Sequence, residues 1–127
     1  GLKPQSVHKI GGFKVQGREP DQAQEMLESA KRLQDAGADI VLLECVPNEV
    51  AQAVTGALAV PVIGIGAGPF VDGQILVLYD ILDITQGRTP RFVKNFQKGC
   101  DSPLAALQSY VRAVKEKQYP EAEHCFS

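Results

Sequence analysis

The order of apolar and polar positions divides the chain into segments with different repeats. From Asp21, residues Ala23, Met26, Leu27, Ala30, Leu33 and Ala36 recur at steps of three and four, which places them on one helical face. Pro20 suits the first turn of that helix and Gly37 its end. The next segment, Ile40-Val41-Leu42-Leu43, is an unbroken apolar run rich in branched residues, as expected of a parallel strand covered on both faces. It ends at Glu44, and from Pro47 a second helical pattern follows through Val50, Ala51, Val54, Ala57 and Leu58. A second buried strand, Val62 to Ile65, runs into Gly66-Ala67-Gly68. Helix, strand, helix and strand joined by short connections predict an α/β protein with a parallel sheet.

The remaining segments are less regular. Residues 1–19 scatter Gly1, Gly11, Gly12, Gly17 and Pro4 among lysines without a period, predicting an irregular loop with one short helical turn. Residues 74–79 fit either a strand or a buried helical turn, and the strand is favoured. A loop of about eight residues reaches roughly 26 Å, enough to return along one strand without a crossover helix. Thr89-Pro90 opens a basic segment holding Phe92, Val93 and Phe96. The pattern Leu104, Leu107, Tyr110, Val111 and Val114 predicts a last amphipathic helix, with Ser102 as N-cap, Pro103 at N1, and Lys115 and Lys117 at its C-terminal end.

Composition adds limits. The 127 residues are 44% hydrophobic and 22% charged, the balance of a soluble globular domain. With 13 basic and 15 acidic side chains the net charge is −2, so no concentrated basic surface points to nucleic acid. No apolar run has the length of a membrane span, and no secretory signal follows Gly1-Leu2-Lys3-Pro4. Cys45, Cys100 and Cys125 are far apart, without metal-ligand spacing or a disulfide framework, so a reducing, cytoplasmic location is expected. The chain opens on Gly1, and its one methionine, Met26, falls within the first helical pattern, so it is expected to begin inside a longer reading frame or after processing.

These segments pose a physical problem. Two clear strands and one doubtful one would leave a parallel sheet with two unpaired edges and little buried apolar surface. A complete (β/α)8 barrel needs about 250 residues. The missing strands are expected from another polypeptide, from a removed N-terminal segment, or not at all.

Among candidates for chemistry, Glu44 stands first. A carboxylate at the C-terminal end of a buried parallel strand lies where α/β barrels build their sites, and its apolar setting favours a raised pKa suited to a general base. Its position also fits a residue that caps the following helix or pairs with a lysine. Gly64, Gly66 and Gly68 form only a weak phosphate signal, because the spacing lacks the rest of the dinucleotide fingerprint. They fit a close approach of backbone to ligand, or relief of crowding at a turn. Lys14 and Gln16, within Gly11-Gly12-Phe13-Lys14-Val15-Gln16-Gly17, suggest a mobile lid or a solvated loop. Asp72 reads as a turn residue and Asp80 as a strand-end cap. His8 and His124 have no catalytic partner in the sequence, and Cys45 reads as a small buried hydrophobe.

Several stretches together resemble the ketopantoate hydroxymethyltransferases: LKPQSVHK from Leu2, GGFKVQGR from Gly11, VLLECVP from Val41, PVIGIGAG from Pro61, DGQILVL from Asp72, PRFVKNF from Pro90, and YPEAEHCF from Tyr119. The likeness runs from end to end of the chain but covers only the C-terminal half of a family member. It implies one domain over residues 1–127 holding the last strands and helices of a (β/α)8 barrel and its C-terminal helices. The implied reaction moves a hydroxymethyl group from 5,10-methylenetetrahydrofolate to 3-methyl-2-oxobutanoate, giving 2-dehydropantoate on the route to pantothenate.

Within this likeness Glu44 takes the place of the proton acceptor; Lys14 and Gly66 are expected near the substrate from their own loop and strand-end positions. A Mg2+ ion is implied, with its ligands in the N-terminal half and none in this chain. Implied partners are the oxo acid, the folate, the N-terminal half of the barrel and further copies in a homo-oligomer contacted through residues 103–117. Neither nucleic acid nor membrane is expected. Tyr79 stands where histidine is expected in many members and Cys125 where serine is common. Without its first half, the chain alone is expected to be inactive. The alternative is a non-catalytic structural or oligomerisation fragment of that barrel, and a phosphate-binding module around Gly64 to Gly68 is a third reading.

Overall fold

A computed structural model describes the whole chain except Val7, Ile10 and Phe13. Helix α1 spans Pro20–Asp35, strand β1 Val41–Glu44, helix α2 Asn48–Ala57 and strand β2 Val62–Ile65. Strand β3 is the pair Gly73–Gln74, helix α3 is Leu78–Ile81 and helix α4 is Pro103–Lys115. Single 3-10 turns occur at Pro4–Ser6 and Ala122–His124.

The helix ends follow local chemistry. Pro20 begins α1, and Gly37 closes it at φ 96°. The N–H of Gly37 donates to Gln34 and that of Ala38 to Leu33, satisfying carbonyls the helix itself leaves open. At the start of α4, Ser102 Oγ accepts from the Ala105 N–H at 3.1 Å, as its N-cap position predicts.

The three strands are parallel in the order β1-β2-β3, with Val41 opposite Val62 and Ile63 opposite Gly73. Helix α2 makes the crossover from β1 to β2. One sheet face supplies Val41, Leu43 and Val62 to a core with Ala30 of α1 and Val50, Ala51 and Val54 of α2. A second core gathers Ile81, Phe96, Ala106, Ala113 and Tyr119 around α4, where the ring of Phe96 meets Tyr110 and Tyr119 edge-on. No helix among the described residues is long and apolar enough to cross a membrane.

Two expectations are corrected. The first run is covered on one face only: Leu42, on the face away from the helices, is 52% exposed. The apolar run fits cover on both sides, but α1 and α2 supply it to one. The segment 74–79 does not extend as a strand. Pairing continues to Ile75, whose N–H donates to Gly64, but β2 ends at Ile65 and offers little further edge. The chain turns at Val77 into α3, so Asp80 is a helical residue rather than a strand-end cap.

Candidate functional site

The site begins at the C-terminal end of β1. Side chains alternate along a strand, so Glu44 projects from the same face as exposed Leu42 and away from the helix-packed core of Val41 and Leu43. Next comes Cys45 at φ 51°, a left-handed conformation that few residues other than glycine adopt. The chain there still donates twice toward β2, from Cys45 to Ile65 and from Val46 to Gly66. This kink ends β1 and leaves the Glu44 carboxylate at the rim of a cavity of about 780 Å³. Burial raises the Glu44 carboxyl above its ordinary range. Burial, then the charge of Glu44, pushes the Cys45 thiol up to about 11. Cys45 therefore stays protonated near neutrality, in accord with its reading as a buried small side chain.

The segment carrying Lys14 and Gln16 folds across this site. The Gln16 N–H donates to the Cys45 carbonyl at 3.2 Å, and Lys14 and Val15 line the cavity. Phe13, the aromatic residue of the suggested lid, lies outside the described residues.

Gly66, at φ 63°, has another neighbour. A Cβ there would stand 2.6 Å from the ring of Phe92, which itself lines the cavity. A Cβ on Gly64 would press on Val71 at 3.0 Å, and one on Gly68 would meet the Asn48 side chain at 2.0 Å. Each of the three glycines thus makes room for a side chain of this protein, in keeping with relief of crowding.

Several cavity residues were not singled out from the sequence. Phe126, Arg88 and Arg91 line it, together with Phe92 and Asp80, which the sequence had already brought forward. Asp80 is buried and accepts from Thr85 Oγ1 at 2.6 Å. Arg91 Nε donates to the Glu123 carbonyl at 2.9 Å, and its guanidinium lies 6.0 Å from the centre of the Phe126 ring. The signal available was the basic segment after Pro90, whose meeting with the C-terminal residues depends on tertiary structure. Asp72 serves the sheet instead, its Oδ2 accepting from the Val62 N–H at 2.8 Å. His124 is buried in the last turn, with Nδ1 accepting from the Glu121 N–H at 3.2 Å, while His8 is exposed.

The site does not gather a metal-binding cluster. Among the described residues, no three His, Cys, Asp or Glu side chains come together as ligands.

A parallel α/β chain with a desolvated carboxylate at a strand's C-terminal end belongs to the broad class that builds its sites on that rim of the sheet. Its sequence narrows the class. Residues 1–122 match the family model described as ketopantoate hydroxymethyltransferase. A 3-methyl-2-oxobutanoate hydroxymethyltransferase of Chromohalobacter salexigens is 59% identical over 126 residues, which is 99% of this chain and 48% of that protein. A second protein of that name, from Alkalilimnicola ehrlichii, is 57% identical over 99% of this chain and 46% of its own length. A paralogue-numbered relative, 3-methyl-2-oxobutanoate hydroxymethyltransferase 2 of Hahella chejuensis, is 56% identical over all of this chain and 48% of itself. The chain belongs to the ketopantoate hydroxymethyltransferase family, and it spans about half the length of the curated relatives it matches.

Proposed function

We propose that this chain forms the C-terminal half of a (β/α)8 barrel that transfers a hydroxymethyl group to 3-methyl-2-oxobutanoate, with Glu44 as the proton acceptor. The observation that carries this reading is the placement of Glu44 on the same face of β1 as exposed Leu42, away from the core formed with α1 and α2. That face is what a barrel turns inward, and the strand's C-terminal end is where a barrel keeps its chemistry. The other strands would cover Leu42, Ile40 and Ile75, which are 52%, 59% and 44% exposed here.

In this reading the Glu44 carboxylate takes a proton from the substrate carbon next to the ketone, and the C–H bonding pair passes into the enolate. That carbon attacks the one-carbon unit of 5,10-methylenetetrahydrofolate. A C–C bond forms, and the two C–N bonds break with their electron pairs left on the folate nitrogens. Water supplies the hydroxyl of 2-dehydropantoate, and the nitrogens take up one proton from that water and the one that Glu44 removed. Desolvation suits Glu44 to the first step, because a base whose pKa lies nearer neutrality withdraws a carbon-bound proton more effectively. Gly66 takes part by seating Phe92 at the cavity wall, and Lys14 by lining the same cavity. Mg2+, when bound, would be held by residues of the other half and would stabilise negative charge on the oxo acid.

The test is to supply the first half of the barrel, taken from a relative, as a separate polypeptide and to measure formation of 2-dehydropantoate. Product that depends on both polypeptides is expected. Product from neither the mixture nor a covalently joined chain would reject the reading.

The alternative, a non-catalytic fragment that assembles with copies of itself, draws on α4, where Leu104 is 64% and Val111 47% exposed. A sedimentation measurement decides it: a monomer at high concentration removes this alternative.

A further inference from the structure

The turn that follows Glu44 is held from outside itself. Cys45 lies in the left-handed region at φ 51°, where a residue with a side chain persists only if its surroundings fix it. Toward the sheet, the Cys45 N–H donates to Ile65 and the Val46 N–H to Gly66. Toward the helix, the fixing group comes from the C-terminal segment. The Phe126 carbonyl accepts from the N–H of Asn48, the first residue of α2, at 3.0 Å. The N–H groups that open a helix have no partners within it, and Pro47, at the N-cap of α2, makes no side-chain bond to them. Phe126 supplies what the local sequence does not.

The ring of Phe126 makes a second contact with the same turn. It packs against the buried cluster of Cys45, Ile65 and Phe92, and meets the Phe92 ring edge-on with centroids 6.5 Å apart. The segment that brings Phe126 here is fastened along its length. The Tyr119 hydroxyl donates to the Phe92 carbonyl, Lys94 pairs with Glu121, and Arg91 Nε donates to the Glu123 carbonyl at 2.9 Å. Within the segment, His124 Nδ1 accepts from the Glu121 N–H at 3.2 Å. Residues 119–126 therefore form a strap, tied to residues 91–94 and ending on the turn that carries Glu44.

Building on the hydroxymethyl-transfer reading, we infer that Phe126 is a positioning residue for Glu44, its ring and its carbonyl together setting the direction in which the carboxylate leaves β1. Misplacing a reacting group by about 1 Å costs on the order of a hundred-fold in rate, so a loosened strap reads out in turnover rather than in binding. The experiment uses the barrel completed with its N-terminal half and follows deuterium uptake by 3-methyl-2-oxobutanoate. Phe126→Ala should lower kcat for uptake about ten-fold or more and leave the KM for the oxo acid within about two-fold. Phe126→Leu keeps apolar bulk against Phe92 and should lose only about three-fold in kcat, again at unchanged KM. It carries the test should Phe126→Ala fail to fold. In both variants amide hydrogen exchange should quicken at Cys45 and Asn48 and stay as it was along α1. A native kcat in the variants, a rise in KM alone, or equal quickening along α1 would overturn the inference. Failure of the underlying reading shows separately, as deuterium uptake that persists in Glu44→Gln while the Cys45 and Asn48 amides still respond to Phe126.

Discussion

The backbone N–H of Leu2 donates to the carbonyl of Glu44 at 2.7 Å. Along a parallel strand successive residues direct their backbone groups to opposite edges. Val41 and Cys45 donate toward β2, so Glu44 faces the other edge, and Leu2 is bonded there. Gly1 presses close beside it, since a Cβ on Gly1 would stand 2.3 Å from the Glu44 carbonyl oxygen. Leu42 directs its own backbone groups to that same edge.

A strand running along that edge would also cover the Leu42 side chain. Leu42→Glu should therefore leave the chain's own stability within about 0.5 kcal/mol, as for an exposed substitution, while abolishing association with the N-terminal half of the barrel. Urea denaturation measures the first and sedimentation of the mixed halves the second. Association as tight as that of the unsubstituted chain would show that the bare face is not the joining surface.

The glycines give opposed stability effects. Gly66→Ala drives a methyl group to 2.6 Å from the Phe92 ring at φ 63°, and overpacking of this kind costs about 1–3 kcal/mol. Gly56 lies within α2 with nothing near its absent Cβ. Gly56→Ala should instead stabilise by about 0.5–1 kcal/mol, because alanine loses less freedom in a helix. Urea midpoints that move in the same direction for both would contradict this account of the site.

The elements were legible to different degrees. Helices α1 and α4 show in the sequence because their apolar spacing agrees with residues that bound a helix, Pro20 and Gly37 at the two ends of α1, and Ser102 and Pro103 at the start of α4. Glu44 was legible because it is the first charged residue after an apolar run. The stretch Gln74 to Tyr79 was not, since a short apolar run fits a strand or a helical turn equally, and the length of β2 decided between them. Exposure of Leu42 was hidden for another reason. An apolar pattern records which faces can be covered, not whether the same chain provides the cover. Arg88, Arg91 and Phe126 converge only through packing of the C-terminal turn on the segment around Phe92, which no local pattern reports.

The C-terminal turn should loosen in acid. Burial holds the pKa of His124 below its ordinary value of 6.5, against the raising effect of Glu123 and Glu121 and together with Lys94. Its Nδ1 accepts a hydrogen bond from the Glu121 N–H, which only the unprotonated nitrogen can do. Folded protein thus favours neutral His124, and the stability it contributes is present above pH 6.5 and is lost as the pH falls through the lower folded value. Hydrogen exchange at the Glu121 and Cys125 amides should quicken in that window in the native chain and show no such step in His124→Asn. Exchange that stays flat across the window in the native chain would contradict the assignment.

The central claim concerns one carboxylate, and deuterium uptake by 3-methyl-2-oxobutanoate in heavy water tests it most directly. With the barrel completed by its N-terminal half and no folate present, the account predicts uptake at the carbon next to the ketone, and a loss of at least a hundred-fold in Glu44→Gln, the lower end of what a general base contributes. Uptake at the unsubstituted rate in Glu44→Gln would mean that another group takes the proton.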